Sequence, residues 1–236
     1  PVTPTFIARS DPVAQWTGAH KGHAFFAYAT DYLIDTDHGA IIDVEATRAI
    51  RQAEIGASRT MVERTEARFG LKPGYLVADT AYGSADNLAW LVKQKRITPY
   101  IPVFDNSART DGTFSRSNFT FNPEADCYIC PAGKKLVQFR RAYATPRTGL
   151  GADGTRRYRA SKKDCDVCEL KARCCPNAVA WKIPRDVEED SRDVARALAG
   201  TPEFETACQR RKKVEMLFAH LKRILRLRRL RLWGPC

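Results

Sequence analysis

The sequence predicts an α/β domain with a mixed sheet, interrupted by a small cysteine-bearing insert. Three observations lead to this class. Apolar runs of strand length alternate with segments of helical periodicity, as in domains that pack helices against a sheet. Six of the eight cysteines lie within residues 127–175. The chain has 236 residues, enough for one large domain or two small ones.

The first elements should be a turn-rich segment and a β-hairpin. Residues 1–23 carry Pro, Asp and Gly breaks and no apolar strand. Two apolar runs follow, at 24–34 and 40–46, and Asp-His-Gly at 37–39 between them is typical of a hairpin turn.

A helix should follow the hairpin. From residue 48 to 69 apolar side chains recur at helical spacing, and Gly70 is a C-terminal stop. Gly56 weakens the middle, so this segment forms one helix or two.

A strand–helix–strand unit comes next. Residues 74–79 form a buried strand that ends in Asp79, and Ser84 can cap a helix over 85–95. A second strand is predicted at 97–103. Because a crossover helix joins them, the two strands should be parallel.

The second half of the chain is less regular until its end. Residues 104–123 are polar and loop-like, and the cysteine segment and a charged stretch at 185–196 follow. A long helix is predicted from about residue 202 to 231.

These elements predict three parts. Residues 1–123 form the N-terminal part of the core, 124–178 a basic cysteine-rich insert, and 179–236 a helical C-terminal part of the core.

The charge is concentrated in two segments. The chain has a net charge of +12, whereas residues 134–173 alone carry +8 and residues 210–231 carry +9. An acidic body with two basic patches favours a polyanion partner, most simply nucleic acid, over a merely soluble basic protein. No run of 18 apolar residues and no leader sequence is present, so we expect no membrane contact and a cytoplasmic protein, nucleoid-associated if bacterial.

Asp79 is the first acid that suggests a site. It ends an apolar strand just before a Gly-containing turn, and ligand sites of open α/β sheets form outside the carboxyl ends of strands. A carboxylate there can bind Mg²⁺. The alternative is a structural Asp that only hydrogen-bonds its own turn.

Glu215 is the second such acid. It is the sole acid among residues 210–231 and lies between Val214 and Phe218 on the apolar stripe, so it should face the body of the domain. A Glu in that position needs a metal, another cation or an arginine. An intrahelical pair with Arg211 is the structural alternative, and it is compatible with a site.

Two motifs together resemble a known family. Arg211-x3-Glu215-x6-Lys222 matches the Arg, Glu and Lys of the Tyr-x2-Arg-x3-Glu-x6-Lys signature of insertion-sequence DDE transposases. VADTAYGS at 77–84 resembles the second-aspartate motif of the same family. The cysteine segment resembles an insert found in one branch of these enzymes.

The resemblance implies an RNase H-like fold in which three carboxylates hold two divalent ions, Mg²⁺ or Mn²⁺. Asp79 and Glu215 would be catalytic metal ligands, and Arg211 and Lys222 would contact DNA phosphates. It also implies action on transposon ends and target DNA as a homodimer.

Two departures from the signature bear on activity. The signature Tyr is replaced by Cys208. The family's first aspartate lies on a strand ahead of the hairpin, and no apolar strand ending in Asp precedes residue 22. We therefore expect that aspartate upstream of Pro1, in a longer reading frame, with Asp31 and Asp35 in or after the second strand.

The cysteines suggest a second metal. Cys127-x2-Cys130 and Cys165-x2-Cys168 have the spacing of a four-thiolate Zn²⁺ site. Cys174 and Cys175 follow closely and could replace a ligand. The alternative is a set of reduced thiols in a small loop-rich core.

Three functions compete at this level. The chain is a DDE transposase catalytic domain that cleaves DNA and transfers strands, or a truncated and inactive remnant that only binds DNA. The third is a zinc-ribbon protein that binds nucleic acid through the cysteine segment.

Overall fold

The computed structural model describes residues 5–18, 23–105, 109–138 and 149–224. Within its helices, four side chains are not described: Arg51, Leu217, Leu221 and Lys222. The chain forms two compact units. The first unit comprises Pro1–Val103 with Val194–Cys236, and the second unit is Phe104–Asp193.

The first unit opens with a three-stranded antiparallel sheet. Strands β1 (Gln15–Gly18), β2 (Ala24–Asp35) and β3 (Ala40–Arg48) lie in the order β1-β2-β3. The hairpin between β2 and β3 confirms the prediction, with Gly39 at a φ of 69° in its turn. The segment expected to be turn-rich contains the short strand β1, whose sequence QWTG is recognisable as a strand only through its pairing with β2. This strand does not end in Asp, so it is not the strand expected to carry the family's first aspartate.

Helix α1 (Arg51–Phe69) is continuous through Gly56 and packs on the hairpin. Its Arg64 contacts Asp43 at 2.7 Å and Glu45 at 2.8 Å on β3. The helix ends at Gly70, whose φ of 64° is the left-handed conformation expected of the predicted stop.

The predicted strand–helix–strand unit is present. Strands β4 (Tyr75–Val77) and β5 (Thr98–Tyr100) are parallel. Between them the Ser84 hydroxyl caps α2 (Ala85–Ala89), which continues as a wider π-helical turn, Trp90–Lys95.

The buried core of the first unit lies under this crossover. Its fully buried side chains come from α1, from α2 and its π-helical continuation, from the residues flanking β5, and from the helix that begins at Glu189: Val62, Leu88, Leu91, Ile97, Ile101 and Ala195. The prediction of α/β structure is confirmed. The single mixed sheet is not seen among the described residues, where β4 and β5 hydrogen-bond to each other and not to the antiparallel sheet.

Two helices form the C-terminal end of the described chain. Helix α5 spans Glu189–Leu198 and α6 spans Pro202–Arg223. The Thr201 hydroxyl accepts the backbone N–H of Phe204 and so caps α6. The predicted continuation of this helix to residue 231 lies beyond the described residues.

The second unit is a five-stranded antiparallel sheet with the strand order β10-β9-β8-β7-β6. Helices α3 (Lys162–Asp166) and α4 (Lys171–Cys174) follow β9. Its core includes Tyr128, Leu136 and Tyr158. The strands are β6 (Thr120–Asn122), β7 (Cys127–Ile129), β8 (Lys135–Gln138), β9 (Thr155–Ala160) and β10 (Lys182–Asp186).

This unit is wider than the insert predicted at 124–178. The edge strands β6 and β10 belong to the unit but lie outside the predicted bounds. Both have polar sequences, TFN and KIPRD, which read as loop until their backbone hydrogen bonds to β7 and β9 are known. Among the described residues no helix is long and apolar enough to cross a membrane.

The two glycines of α1 provide a matched stability test. Gly70→Ala should lower the free energy of unfolding by about 1 kcal/mol, because a Cβ disfavours its positive φ. Gly56→Ala should raise it by about 0.5–1 kcal/mol, since helical propensity improves and no atom lies within 4 Å of the new Cβ. Urea denaturation measures both. Equal effects would contradict an unbroken helix that ends at Gly70.

Candidate active site

An open cavity of about 590 Å³ in the first unit brings the predicted catalytic acids together. Asp79 follows β4, and Glu215 comes from α6, 136 residues later. Both line the cavity, and so do Asp31 and Asp35 of β2. Among the described lining residues, five are acids and two are bases. This excess of carboxylates makes the cavity attractive to cations.

Asp79 is exposed at the carboxyl end of β4. Its Oδ1 accepts the backbone N–H of Ala81 at 2.7 Å and so caps the short 3₁₀ turn Thr80–Tyr82. Asp79 therefore does hydrogen-bond its own turn, as the structural alternative requires. The cap uses Oδ1 only, so Oδ2 can bind a ligand while the cap stays in place.

A buried amide holds the turn that carries Asp79. Asn87 is almost fully buried, and its Nδ2 donates to the backbone carbonyl of Tyr82 at 2.9 Å. Its Oδ1 accepts from Arg59 Nε at 3.1 Å. Because α1 and α2 both contribute to this network, the core of the unit determines where the turn lies.

Glu215 does not face the protein interior, so the prediction of an inward side chain was wrong. Its side chain is 58% exposed, and it reaches the cavity from the helix surface. Arg211 Nε lies 3.4 Å from Glu215 Oε1, one helical turn earlier, without hydrogen-bond geometry. Such an exposed pair contributes only a few tenths of a kcal/mol, so it orients Glu215 more than it stabilises the helix.

Helix α6 is attached to the strands by the neighbouring Arg210. Its guanidinium forms an ion pair with Asp37 in the hairpin turn and donates to the Tyr75 hydroxyl at 3.2 Å. Farther along the helix, Phe218 packs on Tyr32 with ring centroids 4.7 Å apart. These contacts join α6 to both β2 and β4, which carry the other acids.

The two aspartates of β2 differ in their surroundings. Asp31 is partly buried, and burial raises the pKa of its carboxyl, although a hydrogen bond from Thr47 opposes the shift. Asp35 caps the hairpin turn. Its contacts with His38 and the Asp37 amide lower the pKa of its carboxyl. Sequence reasoning mentioned both aspartates without placing them in the site.

Tyr82 lines the same cavity and remains a neutral hydroxyl. Burial raises its pKa, and the negative charges of Asp31, Glu54 and Asp79 raise it further. The phenol can therefore donate a hydrogen bond among acids that can only accept. Tyr82 lies within the VADTAYGS motif at 77–84, but sequence reasoning gave a role only to the aspartate of that motif.

The donor chemistry of the cavity fits a hard divalent cation. Carboxylate oxygens with space for retained water are the surroundings that Mg²⁺ prefers. Within the described part of the chain no three Asp, Glu, His or Cys side chains are yet close enough to hold one ion. The acids share the cavity, and binding would have to draw them together.

The predicted DNA-binding pair is only partly visible. Arg211 lines the cavity with 28% of its side chain exposed. The side chain of Lys222 lies outside the described residues.

The predicted zinc ligands are only partly brought together in the second unit. Cys130, Cys165 and Cys168 line one small cavity, whereas Cys127 does not. Cys127 lies in β7 beside the core residue Tyr128, and alternation along a strand turns it to the opposite face. Burial raises the pKa of the Cys165 and Cys174 thiols, that of Cys174 to about 12.

An α/β unit with a carboxylate-lined cavity beside a basic helix is typical of proteins that act on phosphodiester bonds of nucleic acid. A family model described as "Transposase DDE domain" matches residues 4–235, so the chain belongs to the DDE transposase family. No curated protein and no solved structure matches it. Members of this family act on DNA, move it enzymatically between sites, and use divalent metal ions, typically Mg²⁺.

The pKa shifts of the two β2 aspartates predict opposite pH dependence. Asp31 has a folded pKa above its unfolded value, so the native state binds more protons and stability falls as pH rises between about 3.9 and its raised pKa. We expect Asp31→Asn to be relatively more stabilising at pH 7 than at pH 4. Urea denaturation in EDTA measures this difference.

Asp35→Asn is the matched control. The Asp35 pKa is lowered, so its contribution is present above the unfolded pKa and is lost as pH falls. This variant should cost more stability at pH 7 than at acid pH. If the effects of the two variants on stability change with pH in the same direction, the described surroundings of Asp31 and Asp35 are wrong.

Proposed function

We propose that the first unit is the catalytic part of a DDE transposase, with Asp79, Glu215 and an aspartate of β2 as the carboxylates that hold Mg²⁺ or Mn²⁺. The observation that carries this proposal is their position in one cavity, although they come from three distant parts of the sequence. An RNase H-like arrangement agrees with this placement.

The third carboxylate need not lie upstream of Pro1. Strand β2 presents Asp31 and Asp35 to the cavity that contains Asp79 and Glu215. Asp31 acts electrostatically on Tyr82 together with Asp79, which supports its closeness to the site. Asp35 ends the strand, as Asp79 follows β4. We therefore assign the third acid to β2.

Each group has a task that its own chemistry supports. When bound, the metal ions supply activation of the attacking oxygen and stabilisation of the leaving oxygen of the phosphodiester. Arg211 orients Glu215 and adds positive charge beside the cavity for a phosphate. The neutral Tyr82 hydroxyl donates a hydrogen bond to a DNA oxygen.

The basic helix α6 supplies the DNA contact. Its exposed Lys212 and Lys213 lie next to Arg211 and are available to phosphates. Lys222 belongs to the same proposed surface. We propose that the enzyme acts in the cytoplasm, where a bacterial nucleoid would hold its substrate, and as a homodimer, because joining two transposon ends requires two active sites.

The second candidate is a remnant that binds DNA without cutting it. The replacement of the signature Tyr by Cys208 favours this reading, since one expected DNA contact is changed. The third candidate is a protein that binds nucleic acid through the second unit. Its net charge of +8 over residues 134–173 is the observation in its favour, and residues 139–148 of that segment lie outside the described residues.

Removing one carboxylate should separate chemistry from binding. Asp79→Asn and Glu215→Gln should each lower Mg²⁺-dependent strand transfer by roughly a hundredfold or more, while DNA affinity changes little. The assay uses a DNA fragment with the sequences that flank the gene. Glu205→Gln, an exposed acid on the same helix outside the cavity, is the matched control and should retain activity.

The variants Asp31→Asn and Asp35→Asn test the third carboxylate in the same assay. Loss of transfer in either one supports β2 as its source. Full activity in both would reject that assignment. A wild-type chain that binds the fragment tightly but never cuts it would establish the remnant instead.

The salt dependence of DNA binding should identify the contact surface. The double variant Lys212→Ala/Lys213→Ala should reduce the slope of log K against log salt by about 2, because each lost phosphate contact removes about one released counterion. Fluorescence anisotropy on duplex DNA measures the slope. The double variant Lys162→Ala/Lys163→Ala removes two exposed lysines of the second unit and should leave the slope unchanged. The reverse result would assign the contact to the second unit.

A further inference from the structure

Five cysteines line one small cavity in the second unit, separate from the carboxylate cavity. The space measures about 30 Å³. It is lined by thiols from three segments: Cys130 after β7, Cys165 and Cys168 around the end of α3, and Cys174 and Cys175 at the end of α4.

The size of the space limits its occupant. A single water-sized particle needs about 10–15 Å³ by this measure. The cavity of about 30 Å³ therefore has room for an ion or a water molecule. Since its other walls are largely apolar, sulfur is the main donor available.

Backbone amides are directed at two of the sulfurs. The N–H of Lys134 donates to Cys130 Sγ at 3.3 Å, within the tight turn closed by the Gly133 N–H and the Cys130 carbonyl. The backbone N–H of Trp181 donates to Cys165. Hydrogen bonds of this kind favour the thiolate, which is the form that binds metal, and at Cys165 this one opposes the burial that raises the pKa of the thiol.

Charge near the cavity is also suited to bound thiolates. Four thiolates around one Zn²⁺ carry a net charge of −2. Lys134 and Lys171 line the same space and supply two positive charges, although Lys171 also pairs with Asp166 at 2.8 Å, and the acid Asp164 is present at the wall.

We propose that Cys130, Cys165, Cys168 and Cys174 form a structural zinc site of the second unit. Cys174 and Cys175 both line the cavity, and Cys175 hydrogen-bonds to Cys165 and to Cys174. We assign Cys174 as the fourth ligand because both Cys130 and Cys165 lie near enough to act on it electrostatically. Cys127 is excluded, since it lies outside the lining. Zinc is the metal because thiolates select soft or borderline ions and four of them form a closed tetrahedral site.

Binding requires a local adjustment. As placed, the sulfurs do not form a group of three that could hold an ion in the described part of the chain. The cysteines lie on a turn and on two helices of five and four residues. Changes of side-chain rotamer and small shifts of these short elements can draw the sulfurs inward without disturbing the sheet.

Metal content measures the proposal directly. The full chain, purified without chelators, should contain about one zinc per chain by elemental analysis. After exchange with Co²⁺ it should show sulfur-to-cobalt charge-transfer absorption. A metal-free chain that also fails to bind added zinc or cobalt would overturn the site, and so would iron or copper in place of zinc.

Matched serine variants test the ligand set. Cys130→Ser and Cys174→Ser should weaken zinc binding at least about tenfold in competition with a chelator. Cys127→Ser and Cys175→Ser should retain it. If Cys127→Ser loses zinc as Cys130→Ser does, the proposed set is wrong. If Cys175→Ser alone loses it, Cys174 is not the fourth ligand.

Folding failure can be separated from ligand loss. Histidine also binds zinc, so Cys174→His should recover metal that Cys174→Ser has lost. Thiol titration of the protein, denatured in the presence of a chelator, tests whether two of the cysteines form a disulfide instead. All eight thiols should react; a deficit of two would indicate a disulfide in the cavity and overturn the zinc site.

Discussion

Helix α6 is held against the sheets by Arg210, which contacts two of their elements, and by aromatic packing along the helix. The Arg210 guanidinium joins the hairpin turn, through Asp37, to strand β4, through the Tyr75 hydroxyl. Phe218 packs on Tyr32 of β2, and Phe204 packs on Tyr100 of β5. The turn of α6 that follows Arg210 brings Glu215 to the cavity that contains Asp79. A positive residue and aromatic packing thus hold together a site made of negative residues.

Two groups of the site, Asp31 and Tyr82, lie in surroundings that disfavour their charged forms. Asp31 is held in a partly buried position where its charged form is disfavoured, and Tyr82 is surrounded by three acids. A protein selected for stability alone would replace these groups. Their accumulation at one cavity is the pattern expected of a functional site, where the cost in stability is offset when a cation binds.

The two units use charge and metal differently. In the first unit exposed oxygen donors face an open cavity, which suits an exchangeable ion and a large substrate. In the second unit buried and partly buried sulfur donors line a small cavity, which suits a permanently bound ion. A family match from residue 4 to 235 includes both units, so the cysteine-bearing unit is part of the transposase domain.

Local pattern alone determined several features. The cap at Ser84, the stop at Gly70 and the parallel β4–β5 crossover depend on neighbouring residues, so periodicity and turn chemistry predict them. The spacing of Arg211, Glu215 and Lys222 likewise identified the family before any coordinates.

Tertiary structure decided the remaining features, because those features depend on contacts between residues distant in sequence. Pairing with β2 created β1, hydrogen bonds to the sheet made β6 and β10 strands, and strand alternation at β7 separated Cys127 from the other thiols. The cavity acids of β2 belong to the same class: no spacing rule connects Asp31 with Glu215, and only the packing of α6 brings them to one space.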